Sequence, residues 1–246
     1  LTIFNNIGER YDLFVDWDRR LSTEVPFLHK ILRSHNAKKV LDVGCATGKH
    51  AIELAKLGYD MHGIDISDNL IQKAKRNAQE ARTYVDFEAM SMLDITKHKA
   101  KLFDAVLMLG NVVSLLDDEK QVLSFFADAK LVLKIGGILV IQTLNYRKMI
   151  KNGERYELIE TPEPNLIFLK IFDLVGENTK LSIVMLEKNG SWKMSEMSQH
   201  LMAMTKEDLV RHASRTKFSS ISLYGKFDGS PFKGEESDQI LAVFEK

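Results

Sequence analysis

Cysteine is almost absent: Cys45 stands alone among 246 residues. No disulfide can form within the chain, and nothing points to an oxidising compartment. An excess of charge of either sign is also missing, since 34 Lys and Arg meet 34 Asp and Glu. The balance leaves no global field for phosphates and speaks against an extended nucleic-acid surface. Long apolar runs are lacking too. Residues 105–109 and 138–141 are among the longest, far short of the roughly 20 a membrane helix requires. Proline is scarce and no low-complexity tract occurs, which excludes collagenous and disordered classes. Residues 1–20 mix Glu9, Asp12, Asp16 and Asp18 with aromatics, unlike a signal peptide, and are read as part of the fold. A cytoplasmic protein is expected, with no membrane partner.

What is present is an alternation of strands and helices. Residues 38–43 form a short apolar run that stops at Gly44, and Ala51, Ile52, Leu54, Ala55 and Leu57 follow at helical spacing. Residues 59–64 read as a second strand, and Ser67 caps a helix carrying Leu70, Ile71, Ala74 and Ala78 on one face. Strands follow at 84–88 and 103–109. A helix from Asp118 carries Val122, Phe126, Ala129 and Leu133 and is expected to stop at Gly136-Gly137, where a fully apolar strand, 137–143, begins. Five strands separated by helices predict an α/β fold with a doubly wound, mainly parallel sheet.

Beyond Asn145 the texture changes to period-2 segments. Runs at 166–174 and 181–187 flank Gly176-Glu177-Asn178, and Asn189-Gly190 precedes a run over 191–204. There Trp192, Met194, His200, Met202 and Met204 share parity, which predicts an apolar packing face with His200 satisfied inside it. A helix over 205–214 capped by Thr205, and strands at 219–224 and 239–244, resume the first pattern and bring the main sheet to seven strands. Residues 1–150 are therefore assigned to N-terminal helices plus α/β core, 151–204 to an antiparallel β insertion after the fifth strand, and 205–246 to the completion of the core. The insertion lies above the sheet edge where ligands bind in such folds, and reads as a lid or as the surface of a homodimer.

The chemistry concentrates in the first strand–helix turn, Asp42-Val43-Gly44-Cys45-Ala46-Thr47-Gly48. A dinucleotide fingerprint needs G-x-G-x-x-G, but Ala46 and Lys49 occupy the second and third glycine positions, which argues against a nicotinamide oxidoreductase. Asp42 would repel a phosphate and suits a cationic amine. Asp65 ends the second strand, where an acid accepts hydrogen bonds from ribose hydroxyls. An adenosine with free hydroxyls, a charged amine and no phosphate describes S-adenosylmethionine.

The pattern D-x-G-x-x-T-G from Asp42 to Gly48, followed by Gly63-Ile64-Asp65-Ile66-Ser67, resembles the Rossmann-like (class I) S-adenosylmethionine-dependent methyltransferases. Closer similarity is to the glycine and glycine/sarcosine N-methyltransferases. It extends through Tyr11-Asp12-Leu13-Phe14, residues 19–24, Phe103-Asp104-Ala105-Val106 leading to Leu109-Gly110-Asn111, and Gly136-Gly137 leading to Asn145-Tyr146. The resemblance implies that Tyr11 and Arg20 close over the methionine end, although Glu24 at i+4 also offers Arg20 an ordinary helix ion pair. It implies a cofactor cradle of Asp42, Gly44, Cys45, Ala46, Gly48, Asp65, Ile66 and Leu109, with Ser91 and Met92 at the adenine or as plain loop packing. Asn111 and Tyr146, at the exits of the fourth and fifth strands, are the expected catalytic, substrate-side pair; each also reads as a loop cap or packing aromatic.

Three departures bear on function. Ala46 stands where the family turn has glycine, Ser91 where many relatives have an acid, and Leu144 where the glycine enzymes hold a substrate carboxylate with arginine. Residues 112–116 also lack the histidine of those enzymes, so glycine itself is not the expected acceptor. The expected activity is methyl transfer to a small-molecule acceptor, at an amine, without a metal, since His50 and His62 lack clustered partners. The alternatives are a methyltransferase acting on RNA (tRNA) or protein, and a non-catalytic S-adenosylmethionine-binding protein. The stretch Leu109-Gly110-Asn111-Val112 has none of the prolines of the enzymes that methylate exocyclic base amines.

Overall fold

The structure, a computed structural model, describes residues 3–98, 100–153, 155–175 and 178–246; Gly176 and Glu177 of the expected hairpin turn lie outside the described residues. Helices α1 (Ile3–Ile7), α2 (Tyr11–Phe14) and α3 (Trp17–Ser34) precede the repeating units β1 (Lys39–Val43), α4 (Lys49–Lys56), β2 (Asp60–Asp65), α5 (Asp68–Glu80) and β3 (Asp86–Ala89). Strand β4 (Phe103–Met108), helix α6 (Glu119–Val132) and strand β5 (Leu133–Leu144) complete the parallel part. Helix α7 (Tyr146–Asn152) leads into β6 (Tyr156–Glu160), β7 (Leu166–Val175), β8 (Asn178–Asn189) and β9 (Ser191–Met202). Helix α8 (Lys206–Arg215) and strands β10 (Ser220–Tyr224) and β11 (Gln239–Glu245) close the chain.

The main sheet has seven strands in the order β10-β11-β5-β4-β1-β2-β3, and β11 alone runs antiparallel to its neighbours. Side-chain alternation sends Leu41, Val43, Val106, Met108, Leu139 and Ile141 toward α6 and α8, and Val40, Ala105, Leu107, Ile138 and Val140 toward α3, α4 and α5. Both faces are thus covered, which is why β1, β4 and β5 read as near-continuous apolar runs. Strand order reverses between β1 and β4, the switch point where a crevice opens at the carboxyl ends of the strands. The expected helix caps form: Ser67 accepts from Leu70 N–H at 3.3 Å, Asp118 from Gln121 N–H at 2.8 Å, and Thr205 builds a capping box with Asp208.

Two local expectations change. Helix α6 ends at Val132 rather than at the glycine pair, because Leu133 already pairs with Phe103 across to β4. The glycines instead allow a pinch in β5: Gly136 has φ +73°, and a Cβ on Gly137 would lie 2.9 Å from the Lys134 carbonyl and 3.0 Å from that of Asp104. The third strand starts at Asp86, leaving Tyr84 exposed.

The insertion is a separate antiparallel sheet in the order β6-β7-β8-β9. Its inner face carries Phe168, Phe172, Leu181, Ile183 and Leu201 against Ile3, Ile7, Phe14 and Tyr146. In β9 the parity is the reverse of the expected one as far as His200, while Met202 and Met204 pack against the main core as expected. Met197 and Leu201 turn inward, whereas Trp192 and Met194 are 49% and 71% exposed and His200 is exposed beside them, so His200 is not a packing residue. Inward packing on the N-terminal helices sets the strand's rotation, and apolar alternation on both parities could not reveal it. No helix among the described residues is long and apolar enough to cross a membrane.

Candidate active site

The turn between β1 and α4 is held by hydrogen bonds that spend its donors. Gly44 and Cys45 N–H donate to the Ile64 carbonyl at 2.8 and 2.9 Å, Gly48 N–H to the Cys45 carbonyl at 2.9 Å, and Ala46 N–H to Asp65 Oδ2 at 3.0 Å. A phosphate nest needs such donors free. This turn therefore fits a ligand end that is cationic or hydroxylic, as the acid at position 42 already suggested. Glycine is required at two places: a Cβ on Gly44 would fall 2.6 Å from Val112 Cγ2, and one on Gly48 would fall 2.4 Å from Phe87 Cζ, with φ +71° and +76° respectively. Ala46 adopts φ +49° without being glycine, and Asp65 is the group that pins its N–H.

Asp65 accepts a second backbone bond from Ser67 N–H at 2.9 Å. Burial pushes its carboxyl up, and the two N–H donors pull it back. It lines the main compartment of the cleft, together with Tyr11, Gly44, Ala46, Ile66, Ser91 and Met92. Ser91 also caps the turn that follows, accepting from Leu93 N–H at 3.2 Å. A smaller compartment adjoins through Tyr11, Gly44 and Ala46, and adds Arg20, Asp42, Cys45 and Leu109. Gly48 lines neither; it packs behind the turn.

The smaller compartment contains a buried charge network that sequence reasoning reached only in part. Arg20 Nε and Nη2 donate to Glu24 Oε1 and Oε2 at 2.7 and 3.0 Å, and His50 Nε2 lies 2.7 Å from Glu24 Oε2. Burial alone would raise the Glu24 carboxyl, but the bonds from His50 and Arg20 outweigh it and hold it below its usual range. The helix ion pair and the functional reading of Arg20 therefore coexist: Glu24 clamps one edge of the guanidinium, and Nη1 and Nη2 lie 3.8 and 3.7 Å from where a Gly110 Cβ would stand. Trp17 packs against both Arg20 and His50. Glu24 and His50 are 26 residues apart, on α3 and α4; no local pattern announces the pair.

Asp42, buried in the same compartment, is pushed up to about 6 by burial, with His50 pulling it down and Asp65 pushing it up. An ammonium placed beside it would return it to the ionised form. Ligand affinity is then level above pH 6 and falls roughly tenfold per unit below it, because binding must release the proton. Calorimetry with S-adenosylhomocysteine between pH 5 and 8 reads this directly; affinity independent of pH would remove Asp42 from the ammonium site. Burial likewise pushes the Tyr11 hydroxyl up to about 12 and the Cys45 thiol well above its normal value, so neither is a base or nucleophile near neutrality.

The expected catalytic pair lies behind the cleft wall. Asn111 Nδ2 donates to Tyr146 Oη at 2.8 Å, and Asn111 Oδ1 accepts from Thr143 Oγ1, Ser114 Oγ and Leu144 N–H at 2.7, 3.1 and 3.1 Å. Tyr146 is 1% exposed. Neither residue lines either compartment. Their bonds lock the β4 exit, where Gly110 and Asn111 both have positive φ, onto the end of β5. The structure thus gives them a bracing role, since the bonds recorded for their side chains are all made within the protein.

The cover over the cleft comes from the N-terminal helices, which supply Phe4 and Tyr11. Asp12 ties them to the turn by accepting from Thr47 Oγ1 at 2.6 Å and Trp17 Nε1 at 3.0 Å. The β insertion, expected as a lid, contributes no lining side chain among the described residues. It backs the cover through Phe14 on Phe168 and the Arg10–Glu187 ion pair. The opposite wall, Val112, Leu115 and Leu116, is apolar, with Asp117 and Gln121 at its rim. Leu144 packs into the apolar cluster under the insertion. Among the described residues no group of His, Cys, Asp and Glu could hold a metal ion.

Comparison with known proteins places the chain among methyltransferases. A family model described as "Methyltransferase domain" matches residues 34–208. A glycine/sarcosine N-methyltransferase from Aphanothece halophytica is 34% identical over 145 residues, 59% of this chain and 55% of that protein. The chain spans about half the length of the curated relatives it matches first. In solved structures, an S-adenosylmethionine-dependent methyltransferase from Clostridium acetobutylicum superposes with a TM-score of 0.80 at 13% identity, covering 98% of each chain. A sugar N-methyltransferase from a Streptoalloteichus species gives 0.75 at 21% identity, covering 97% of this chain and 93% of that one.

Proposed function

The chain belongs to the class I S-adenosylmethionine-dependent methyltransferases, and from that membership we propose that it methylates a small-molecule amine that carries no carboxylate. The carrying observation is the distribution of charge in the cleft. Asp65 and Asp117 are the charged side chains of the main compartment, while the guanidinium of Arg20 sits at the far, methionine end beside Asp42. With Leu144 in an apolar cluster, the acceptor side offers no cation among the described residues to pair a substrate carboxylate or phosphate. The names of the relatives, glycine/sarcosine and sugar N-methyltransferases, support nitrogen as the target.

The residues fit the cofactor. Asp65 would accept from ribose hydroxyls, Arg20 would fork onto the methionine carboxylate, Asp42 would neutralise the ammonium, and Ile66, Ser91 and Met92 would surround the adenine. When bound, S-adenosylmethionine supplies an electrophilic methyl group on a sulfonium. The protein's part is to hold the acceptor lone pair in line and keep water out beneath Phe4 and Tyr11. Because Tyr11 stays protonated, it serves as a hydrogen-bond partner and not as a base, and the amine enters unprotonated.

The test is release of S-adenosylhomocysteine over a panel of amino acids, amino sugars and simple alkanolamines. A carboxylate-free amine should exceed glycine and sarcosine by at least about 30-fold, the cost of burying an unpaired carboxylate. Equal turnover of glycine would refute the acceptor class. Activity on tRNA or protein alone would refute the small-molecule reading, and cofactor binding without turnover on any acceptor would mark a binding protein.

A further inference from the structure

The four-stranded sheet has two faces, and the described residues cover one. Directly paired residues share a face, so the register places Leu158, Leu169, Val184 and Glu196 in one row and Glu160, Ile167, Leu186 and Met194 in the next. These point away from the inner cluster of Phe168, Phe172, Leu181 and Ile183. Tyr156, Leu158 and Met194 are 77%, 58% and 71% exposed on this outer face. An antiparallel sheet with one wet face normally alternates apolar and polar residues. Strands β7 and β8 instead carry Ile167, Leu169, Ile171, Val184 and Leu186 outward as well as their inward apolar set, the pattern of a sheet buried on both sides.

We propose that this outer face is the interface of a homodimer, in which the sheets of two copies pack face to face about a two-fold axis. Strand spacing and rise give the face an extent on the order of 600 Å², near the about 800 Å² per partner of a standard interface once its rim is included. Its charges argue for a second copy over other occupants. Glu160 and Glu196 balance Lys180 and Lys188, and Asp173 is already paired with Arg155 at 3.2 Å. Such a face has no net attraction for an anionic lipid surface or a nucleic acid, and no net repulsion when opposed to itself.

Sedimentation velocity over micromolar concentrations is the test, with the Leu158→Lys/Met194→Lys double variant as its counterpart. Both side chains are exposed in the single chain, so their replacement leaves the protomer intact. Wild type should sediment at twice the chain mass. The variant should dissociate, with a dimer dissociation constant raised at least about 100-fold and an unchanged affinity for S-adenosylhomocysteine that reports the fold and the cofactor site separately. As a second reading that needs no variant, dilution of wild type should red-shift Trp192 emission as the face is uncovered. A wild-type monomer at tens of micromolar, a double variant that remains dimeric, or a monomer that co-floats with phosphatidylserine vesicles would each overturn the proposal.

Discussion

Replacing Arg20 with alanine is expected to lower cofactor affinity by about 100-fold or more and to cost about 2–3 kcal/mol of stability. The two effects have separate origins. The guanidinium donates through Nε and Nη2 to Glu24, whose side chain is 8% exposed, and His50 is the carboxylate's other partner. Its loss leaves a buried carboxylate half-satisfied, the situation in which breaking a pair costs far more than the pair contributes. The part of the guanidinium that faces Gly110 lines the smaller compartment, so under the proposed function the cofactor carboxylate would lose its fork as well. Melting of the ligand-free protein should fall by roughly 5–10 °C, given about 2–4 °C per kcal/mol for a domain of this size. Calorimetry with S-adenosylhomocysteine measures the affinity. A Glu24→Gln variant separates the two roles: it keeps the guanidinium in place but weakens its clamp, so it should lose stability while retaining measurable binding. Wild-type affinity in Arg20→Ala would remove Arg20 from the cofactor site.

The Asp65→Asn substitution, a change of one atom, should weaken binding of S-adenosylmethionine and S-adenosylhomocysteine by about 30- to 100-fold. Both carboxylate oxygens accept backbone N–H groups, from Ala46 and Ser67. An amide must turn its own NH2 toward one of them. If it faces Ala46, the residue held at φ +49° loses its anchor and the turn relaxes. If it faces Ser67, the start of α5 loosens. Either way the group proposed to accept from the ribose hydroxyls becomes neutral and displaced. NADH should bind neither wild type nor variant, because the N–H groups of Gly44, Cys45, Ala46 and Gly48 are already engaged. Unchanged affinity for the sulfur ligands in Asp65→Asn would refute its role, and tight binding of NADH to wild type would refute the reading of the turn.

The strand–turn–helix that lines the cleft was legible in the chain because it is local. A strand, a glycine turn, a helix and an acid at the end of the next strand lie within residues 39–65. The turn's geometry follows from which of its residues tolerate positive φ. The acceptor side was less legible. Asn111 and Tyr146 sit at strand exits, where ligands bind in this fold, yet their hydrogen bonds are consumed by each other and by Thr143, Ser114 and Leu144. Position along a strand predicts proximity to a cleft; it does not predict whether a polar atom has spent its valence inside the wall. The cover was misplaced for a related reason. The insertion's inner face found a better partner in Ile3, Ile7 and Phe14 than in the cleft, and it is Phe4 and Tyr11 that reach the site.

By itself, the order of residues determined the α/β class, the seven strands of the main sheet, the antiparallel insertion, and the turn at Gly44 and Gly48 with an acid, Asp65, at the end of the next strand. These depend on hydrophobic period, on the φ a glycine permits and on contacts between near neighbours in the chain. Only the tertiary structure decided that Glu24 and His50 clamp Arg20, that Asn111 and Tyr146 brace the wall, which parity of β9 faces inward, and that one apolar face of the insertion is left uncovered. Each of those joins segments from different elements, and the competition among partners for a polar atom or an apolar face is settled only when all the elements are packed together.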